Sequence, residues 1–157
     1  MKRAENNTNI RTRNAEETKK IAAEMGRKLL VDIQAGAVTG PVILALQGDL
    51  GAGKTTFVQG LASGLGIDAR VTSPTFTIMQ RYPIPGLNGS LYHIDCYRLE
   101  GGEQLDAIHF NDIVADSRSI IAIEWPERVG ARVPRGAHTV KFREGRRDER
   151  EIEIDFS

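Results

Sequence analysis

Apolar and polar residues alternate along the chain in blocks that are typical of a mixed α/β protein. Apolar positions recur at helical spacing from Ile21 to Ile33. Asn14 can cap the start of this helix, and Gly36 can end it. Strand-length apolar runs, typical of strands buried on both faces, occur at 42–46, 91–94 and 120–123. Buried strands mixed with helices predict a central sheet with helices on its faces.

The remaining segments add helices and strands to this order. A helix is predicted from Lys54 to about Leu65, and a short amphipathic helix over 103–115. Segment 71–82 has an extended pattern interrupted by Pro74. The C-terminal part predicts a hairpin, because 151–156 alternates cleanly between apolar and acidic residues after a first strand at 138–142. We therefore predict one α/β domain over 14–157, with a mostly parallel sheet and a C-terminal β-hairpin, preceded by a loose polar arm at 1–13.

Charge and cysteine content narrow the function classes. The 157 residues include 21 Lys or Arg and 21 Asp or Glu, so the formal net charge is zero and a broad polycationic nucleic-acid surface is unlikely. Cys96 is the single cysteine, which excludes an intrachain disulfide and any zinc site with two cysteine ligands. The start lacks the apolar core of a secretory signal, and Val42–Leu46 is too short to span a bilayer. We expect a cytoplasmic protein with no membrane contact.

The strongest chemical signal is a glycine-rich turn between a predicted buried strand and a predicted helix. Gly48–Thr55 fits the phosphate-loop pattern G-x-x-x-x-G-K-S/T. The pattern predicts backbone N–H groups wrapped around the phosphates of a nucleotide, with Lys54 against the outer phosphates and the Thr55 hydroxyl on Mg²⁺. The helix that follows would aim its N-terminus at the same phosphates. The predicted nucleotide contacts in this loop are Gly51, Ala52, Gly53, Lys54, Thr55 and Thr56.

Two acidic residues follow the other buried strands. Asp95 ends the run at 91–94, and Glu124 ends the run at 120–123. Ligands of α/β sheets bind at the carboxyl ends of parallel strands, and phosphate-loop chemistry requires a carboxylate near Mg²⁺ and a group that orients water. We assign Asp95, Glu124 and Thr55 to the metal and water region, with Glu124 as the better candidate to polarise water. Lys54, Asp95 and Glu124 are the predicted catalytic residues.

Several other residues keep two interpretations. A hydroxyl in segment 72–76 can sense the γ-phosphate, or the segment is an edge turn at Pro74. Trp125 either adjoins the nucleotide or is a core residue. The three histidines follow no metal-ligand spacing and are interpreted as structural. The basic residues of 143–150 alternate with acidic ones, which favours a solvated hairpin tip over a patch for RNA or a partner.

The residues leave three function classes open. A Ras-like GTPase is disfavoured, because the chain has no Asn-Lys-x-Asp motif for guanine. An ATPase, a small-molecule or nucleoside kinase, and a nucleotide-gated binding module with little turnover all remain compatible with the phosphate loop.

Taken in order, the motifs resemble one family, the bacterial TsaE (YjeE) ATPases of tRNA threonylcarbamoyladenosine biosynthesis. The resemblance covers nearly all of the chain from about Thr12. Its pieces are Glu16–Thr18, Gly48–Thr56, Ser73–Phe76, His93–Leu99 and Glu124–Glu127.

The resemblance implies a P-loop NTPase-type fold and Mg²⁺-dependent ATP hydrolysis. It also implies partnership with TsaB and TsaD, which modify tRNA. The protein would then contact tRNA only indirectly, through that complex. Hydrolysis would reset that complex between turnovers. By the same resemblance, Lys54 and Thr55 take the phosphate-loop roles, Asp95 and Glu124 the metal-site roles, Thr75 is a switch-like threonine and Trp125 lies beside the nucleotide.

Overall fold

Seven strands form one mixed sheet in the computed structural model, which describes residues 7–74 and 76–157. The order across the sheet is β1-β7-β6-β2-β5-β4-β3. The strands are β1 (Asn7–Thr12), β2 (Val42–Gln47), β3 (Met79–Pro83), β4 (Ser90–Asp95), β5 (Ser119–Glu124), β6 (His138–Glu144) and β7 (Arg150–Asp155).

Helices cover both faces of this sheet. They are α1 (Ala15–Gln34), α2 (Lys54–Gly64) and α3 (Phe110–Ala115), with short 3₁₀ helices at Gly102–Ile108, Pro126–Arg128 and Gly130–Arg132. The predicted cap of α1 is confirmed, because the Asn14 side-chain oxygen accepts a 2.9 Å hydrogen bond from the Glu17 backbone N–H. The predicted extent of α2 is also confirmed to within a residue.

The prediction of a mostly parallel sheet is wrong. The four central strands β6, β2, β5 and β4 are parallel to one another, but β1, β7 and β3 each run antiparallel to a neighbour. The physical reason is the length of the connections. Tight turns join β3 to β4 and β6 to β7, and a short turn between adjacent strands can only produce an antiparallel pair.

The loose arm predicted at 1–13 is wrong for residues 7–12, which form strand β1 on the edge of β7. Backbone pairing with β7 stabilises this polar segment, and side chains add to it: Arg11 meets Glu151 at 2.9 Å. Thr12 is fully buried, with its hydroxyl 2.7 Å from that of Thr18 on α1. The polar sequence of 7–12 does not predict a strand, because the segment is stabilised as a strand by pairing with the edge of β7. Residues 1–6 of the predicted arm lie outside the described residues.

The three predicted strands with buried faces are confirmed as β2, β4 and β5, and alternate side chains enter two cores. On β2, Val42, Leu44 and Leu46 pack in the core under α1 and α2. Ile43 and Ala45 face the core formed with α3 and the first 3₁₀ helix. An apolar residue at every position is therefore required, since both faces of the strand are covered.

Two other predicted elements differ in detail. In the extended segment 71–82, the described residues before Met79 form no strand, and β3 runs from Met79 to Pro83. The helix predicted over 103–115 divides at His109, whose φ of 55° is incompatible with continued helix, into a 3₁₀ helix and α3. Within the part of the chain that the structure describes, no helix has the length and apolar character needed to cross a membrane.

Helices α1 and α2 approach each other so closely that glycine is required where they cross. A Cβ atom built on Gly64 of α2 would lie 2.1 Å from the carbonyl oxygen of Ala23 on α1. That contact is far inside van der Waals separation, so the helix carrying the phosphate-loop sequence is held against α1 by backbone-to-backbone packing.

Replacing Gly64 with alanine should therefore destabilise the protein by about 1–3 kcal/mol, the usual cost of overpacking. The effect opposes helix propensity, which favours alanine by about 1 kcal/mol. Urea denaturation measures the difference. Gly136→Ala is the matched control, because a Cβ at Gly136 meets nothing within 4 Å. Equal unfolding free energies for the two variants would contradict the proposed crowding.

Candidate functional site

The glycine-rich segment forms the turn from β2 into α2 at the carboxyl edge of the sheet. Gly53 is the N-cap of α2 and has a φ of 106°, a conformation that disfavours side chains other than glycine's. The helix therefore begins at Lys54, with its first N–H groups directed toward the cavity outside the sheet. A turn of this kind suits an anion, because unpaired N–H groups and the helix dipole both favour negative charge.

Lys54 is buried within this turn. Its side-chain nitrogen donates a hydrogen bond to the Gly48 carbonyl and lies 3.8 Å from the centre of the Trp125 ring. Burial lowers the pKa of the Lys54 ammonium, while the nearby carboxylate of Glu124 opposes that shift. A polyanion bound beside the ammonium would also oppose that shift.

Glu124 contacts the first turn of α2. The Thr55 hydroxyl lies 3.2 Å and 3.3 Å from the two carboxylate oxygens of Glu124, to which it donates. Glu124 ends β5 next to Leu46 of β2, and the parallel register of these strands puts the carboxylate beside the turn. The structure thus brings together Lys54, Thr55 and Glu124, which lie far apart in the sequence.

Asp95 lies at the same edge of the sheet, opposite Glu124 in the parallel pairing of β4 and β5. Its carboxylate accepts a 2.9 Å hydrogen bond from the Tyr97 backbone N–H and a 3.3 Å hydrogen bond from the Ser73 hydroxyl. Asp95 therefore both shapes the turn after β4 and holds the segment that contains Ser73. Thr75, the predicted switch threonine of that segment, lies outside the described residues.

A cavity of about 610 Å³ opens above these residues, a size that accommodates a nucleotide-sized ligand. Its walls contain most of the predicted site residues: Gly51, Gly53, Lys54, Thr55, Thr56, Asp95, Glu124 and Trp125. Ala52 is buried beneath the turn. The cavity is also lined by the start of α1, which sequence reasoning did not include.

Arg150 is a cavity residue that the sequence pattern hid. Its guanidinium donates a 3.1 Å hydrogen bond to the Gly51 carbonyl and a 2.8 Å hydrogen bond to the Glu149 carbonyl. The interleaved charges of 143–150 favoured a solvated tip, but the hairpin instead carries this cation to the rim of the glycine-rich turn. Only the pairing of β7 with β1 and β6 reveals that placement.

Trp125 also lines the cavity, in contact with Lys54. Its φ of 57° is uncommon for a bulky residue, and its ring centre lies 5.0 Å from that of Tyr97. Strained backbone of this kind occurs frequently at functional sites. The indole both lines the cavity and packs, partly buried, against the core formed with α3.

The chemistry of the donors fits a small hard cation. The Thr55 hydroxyl and the Glu124 carboxylate supply oxygen ligands within hydrogen-bonding distance of each other, and Mg²⁺ usually takes only one or two protein ligands beside phosphate and water. Across residues 7–74 and 76–157, no group of three or more His, Cys, Asp or Glu is arranged to hold a metal by itself. The residues present therefore suit a cation that arrives with a phosphate ligand.

Cys96 does not provide a nucleophile at this site. It is fully buried behind Asp95, and burial raises the pKa of its thiol to about 12.

The fold and the site together define an α/β protein with a glycine-rich turn between strand and helix and a carboxylate at the end of the neighbouring strand. The family model "Threonylcarbamoyl adenosine biosynthesis protein TsaE" matches residues 12–152. The chain belongs to the TsaE family.

Relatives carrying the description "tRNA threonylcarbamoyladenosine biosynthesis protein TsaE" agree with this assignment. The Treponema pallidum protein is 38% identical over 91% of this chain and 96% of its own length. The Bacillus subtilis protein is 41% identical over 90% of this chain and 81% of its own length. The match to the Streptomyces coelicolor protein is 45% identical and spans 66% of each chain.

A solved structure has the same fold. The crystal structure of Bacillus subtilis YdiB superposes with a TM-score of 0.75 at 31% identity, covering 99% of this chain and 90% of that one. Family membership links the chain to tRNA threonylcarbamoyladenosine biosynthesis.

Proposed function

We propose that this protein is a Mg²⁺-dependent P-loop ATPase that binds and resets the TsaB–TsaD complex during tRNA N6-threonylcarbamoyladenosine modification. The observation that carries the proposal is the meeting of Thr55 with Glu124 beside Lys54 at the start of α2. An anion turn, an oxygen-donor pair and a buried cation are the parts that phosphoryl transfer requires. A pathway that modifies tRNA would place the protein in the cytoplasm.

The binding step would use the glycine-rich turn. Backbone N–H groups from Gly51 to Thr56 would bind the phosphates of ATP, and Lys54 would exchange the Gly48 carbonyl for the outer phosphates. Trp125 and Arg150 both line the cavity and would limit where the nucleotide lies. ADP would bind through the same N–H groups.

The hydrolytic step would use Glu124. Its carboxylate would accept a hydrogen bond from water and direct the water oxygen at the γ-phosphorus. The new P–O bond forms as the bond to the ADP oxygen breaks, and the proton of the water leaves through the carboxylate or to solvent. Mg²⁺, held by Thr55 and Glu124 with Asp95 close by, would neutralise phosphate charge. Thr75 would respond to the γ-phosphate.

The isolated protein should hydrolyse ATP slowly, and purified TsaB and TsaD should raise the rate by at least about tenfold. A cation supplied in trans is worth ~10³–10⁵ in related phosphoryl transfers, so a tenfold rise is a modest expectation. The measurement is a steady-state ATPase assay without any phosphoryl acceptor, titrated with the two partners. Because linkage is reciprocal, ATP should bind the partners to this protein more tightly than ADP does.

The same assays separate the alternatives. Phosphorylation of an added nucleoside, with no phosphate released in its absence, would indicate a kinase. ATP-dependent partner binding with no phosphate release in a single-turnover experiment would indicate a nucleotide-gated binding module. Fast turnover by the isolated chain, or equal partner affinity with ATP and ADP, would overturn the proposed resetting role.

A further inference from the structure

His93 lies directly behind the proposed catalytic carboxylate. It is at the centre of β4, fully buried, and projects from the same face of the sheet as Asp95 two residues later. In the parallel pairing, His93 is opposite Ala122 and Asp95 is opposite Glu124. The small side chain of Ala122 leaves room for the imidazole to extend along β5 to Glu124.

The contact between the two side chains is a hydrogen bond. The His93 Nε2 atom faces Oε2 of Glu124, and both residues are almost entirely removed from solvent. An ionised carboxylate only accepts hydrogen bonds, so the imidazole donates from Nε2. Among the described residues, the His93 Nδ1 atom has no hydrogen-bond partner, so the Nε2 contact with Glu124 is the one hydrogen bond of the ring there.

Two side chains on different elements therefore contact the carboxylate of Glu124. His93 on β4 contacts Oε2, and the Thr55 hydroxyl on α2 contacts both oxygens. When a cation or phosphate takes the Thr55 hydroxyl, His93 becomes the remaining contact that fixes the plane of the carboxylate.

We propose that His93 is a positioning residue for Glu124, which sets the direction of the carboxylate toward Mg²⁺ and the attacking water. The proposal deepens the proposed function and rests on it. Donors behind a metal-binding or water-binding group typically change metal affinity or activity by about 10–100-fold when they are removed. The proposal differs from the sequence-based interpretation of His93 as structural, which rested on the lack of a metal-ligand spacing.

The test compares His93→Leu, which removes the donor and keeps apolar volume, with His93→Gln, whose amide N–H can replace Nε2–H. His138→Leu is the matched control, because His138 lies on β6 and its ring contacts Phe156 and Ser157 rather than the cavity. For each variant, the melting temperature, the dependence of ADP affinity on Mg²⁺ concentration, and kcat and KM for ATP are measured. If His93→Leu does not fold, His93→Met provides the same comparison.

His93→Leu should lower kcat by about 10–100-fold and raise the Mg²⁺ concentration needed for tight ADP binding by a similar factor. KM and metal-free ADP affinity should stay within about threefold, because the glycine-rich turn is untouched. His93→Gln should recover most of both losses, and His138→Leu should match wild type. A His93→Leu protein with wild-type Mg²⁺ dependence, or an equally impaired His93→Gln protein, would overturn the positioning role.

Failure of the proposed ATPase activity is distinguishable from failure of this inference. If wild type releases no phosphate even with TsaB and TsaD, the ATPase proposal fails, and the Mg²⁺ dependence of ADP binding alone decides the role of His93. If wild type hydrolyses ATP and His93→Leu does so equally well, the ATPase proposal stands and the positioning role fails.

Discussion

Glu124→Gln should retain ATP binding within about tenfold of wild type but lose at least about a hundredfold in the rate of hydrolysis. The amide keeps the size of the side chain and one accepting oxygen, so Thr55 retains a partner. It lacks the charge that polarises water and helps to hold Mg²⁺, and a positioned base contributes ~10²–10⁴ to the rate. Single-turnover phosphate release, with ATP affinity measured separately, checks this expectation.

Glu127→Gln is the control for the loss of charge by itself. Glu127 is an exposed carboxylate three residues further along, and it acts on Lys54 only through its electric field. The Glu127→Gln variant should hydrolyse ATP at nearly the wild-type rate. If Glu124→Gln also did so, the role of orienting water would pass to Asp95, and Asp95→Asn would be the next variant to measure.

Lys54→Ala should weaken ATP binding by about 10–100-fold. A hydrogen bond to a charged group contributes about 1.5–3 kcal/mol. The sequence pattern assigns phosphate binding to the start of α2, and Lys54, which is buried there, is the first residue of that helix. Calorimetry measures the affinity directly. ATP should also raise the melting temperature of wild type more than that of the variant, because a ligand of the folded state stabilises it by mass action.

Trp125 fluorescence provides a second measurement of ATP binding, since Trp125 is the only tryptophan in the sequence. Its ring contacts the Lys54 ammonium, so ATP binding that draws Lys54 to the phosphates should change its emission. Lys141→Ala is the matched control, because Lys141 is an exposed lysine on β6. Unchanged ATP affinity in Lys54→Ala would show that the phosphates bind elsewhere.

The sequence determined those features that depend on local pattern and spacing. Mainly apolar runs identified β2, β4 and β5, because a strand covered on both faces buries nearly all of its side chains. The glycine-rich turn was readable from Gly48, Gly53, Lys54 and Thr55, because backbone conformation and charge at the turn constrain those four positions. Asp95 and Glu124 were assigned to one edge on the assumption of parallel strands, and the parallel register of β4 and β5 supports that step.

Only the tertiary structure decided which distant groups touch. No local pattern distinguishes strand β1 from a polar arm, because its stability comes from the open edge of β7. Arg150 reads as part of a solvated hairpin until the strand pairing brings its guanidinium to Gly51. His93 reads as an isolated histidine until the register of two strands sets it against Glu124, across the small side chain of Ala122. Residue type and spacing encode the chemistry that one segment can perform, whereas contacts between segments depend on the packing of the whole sheet.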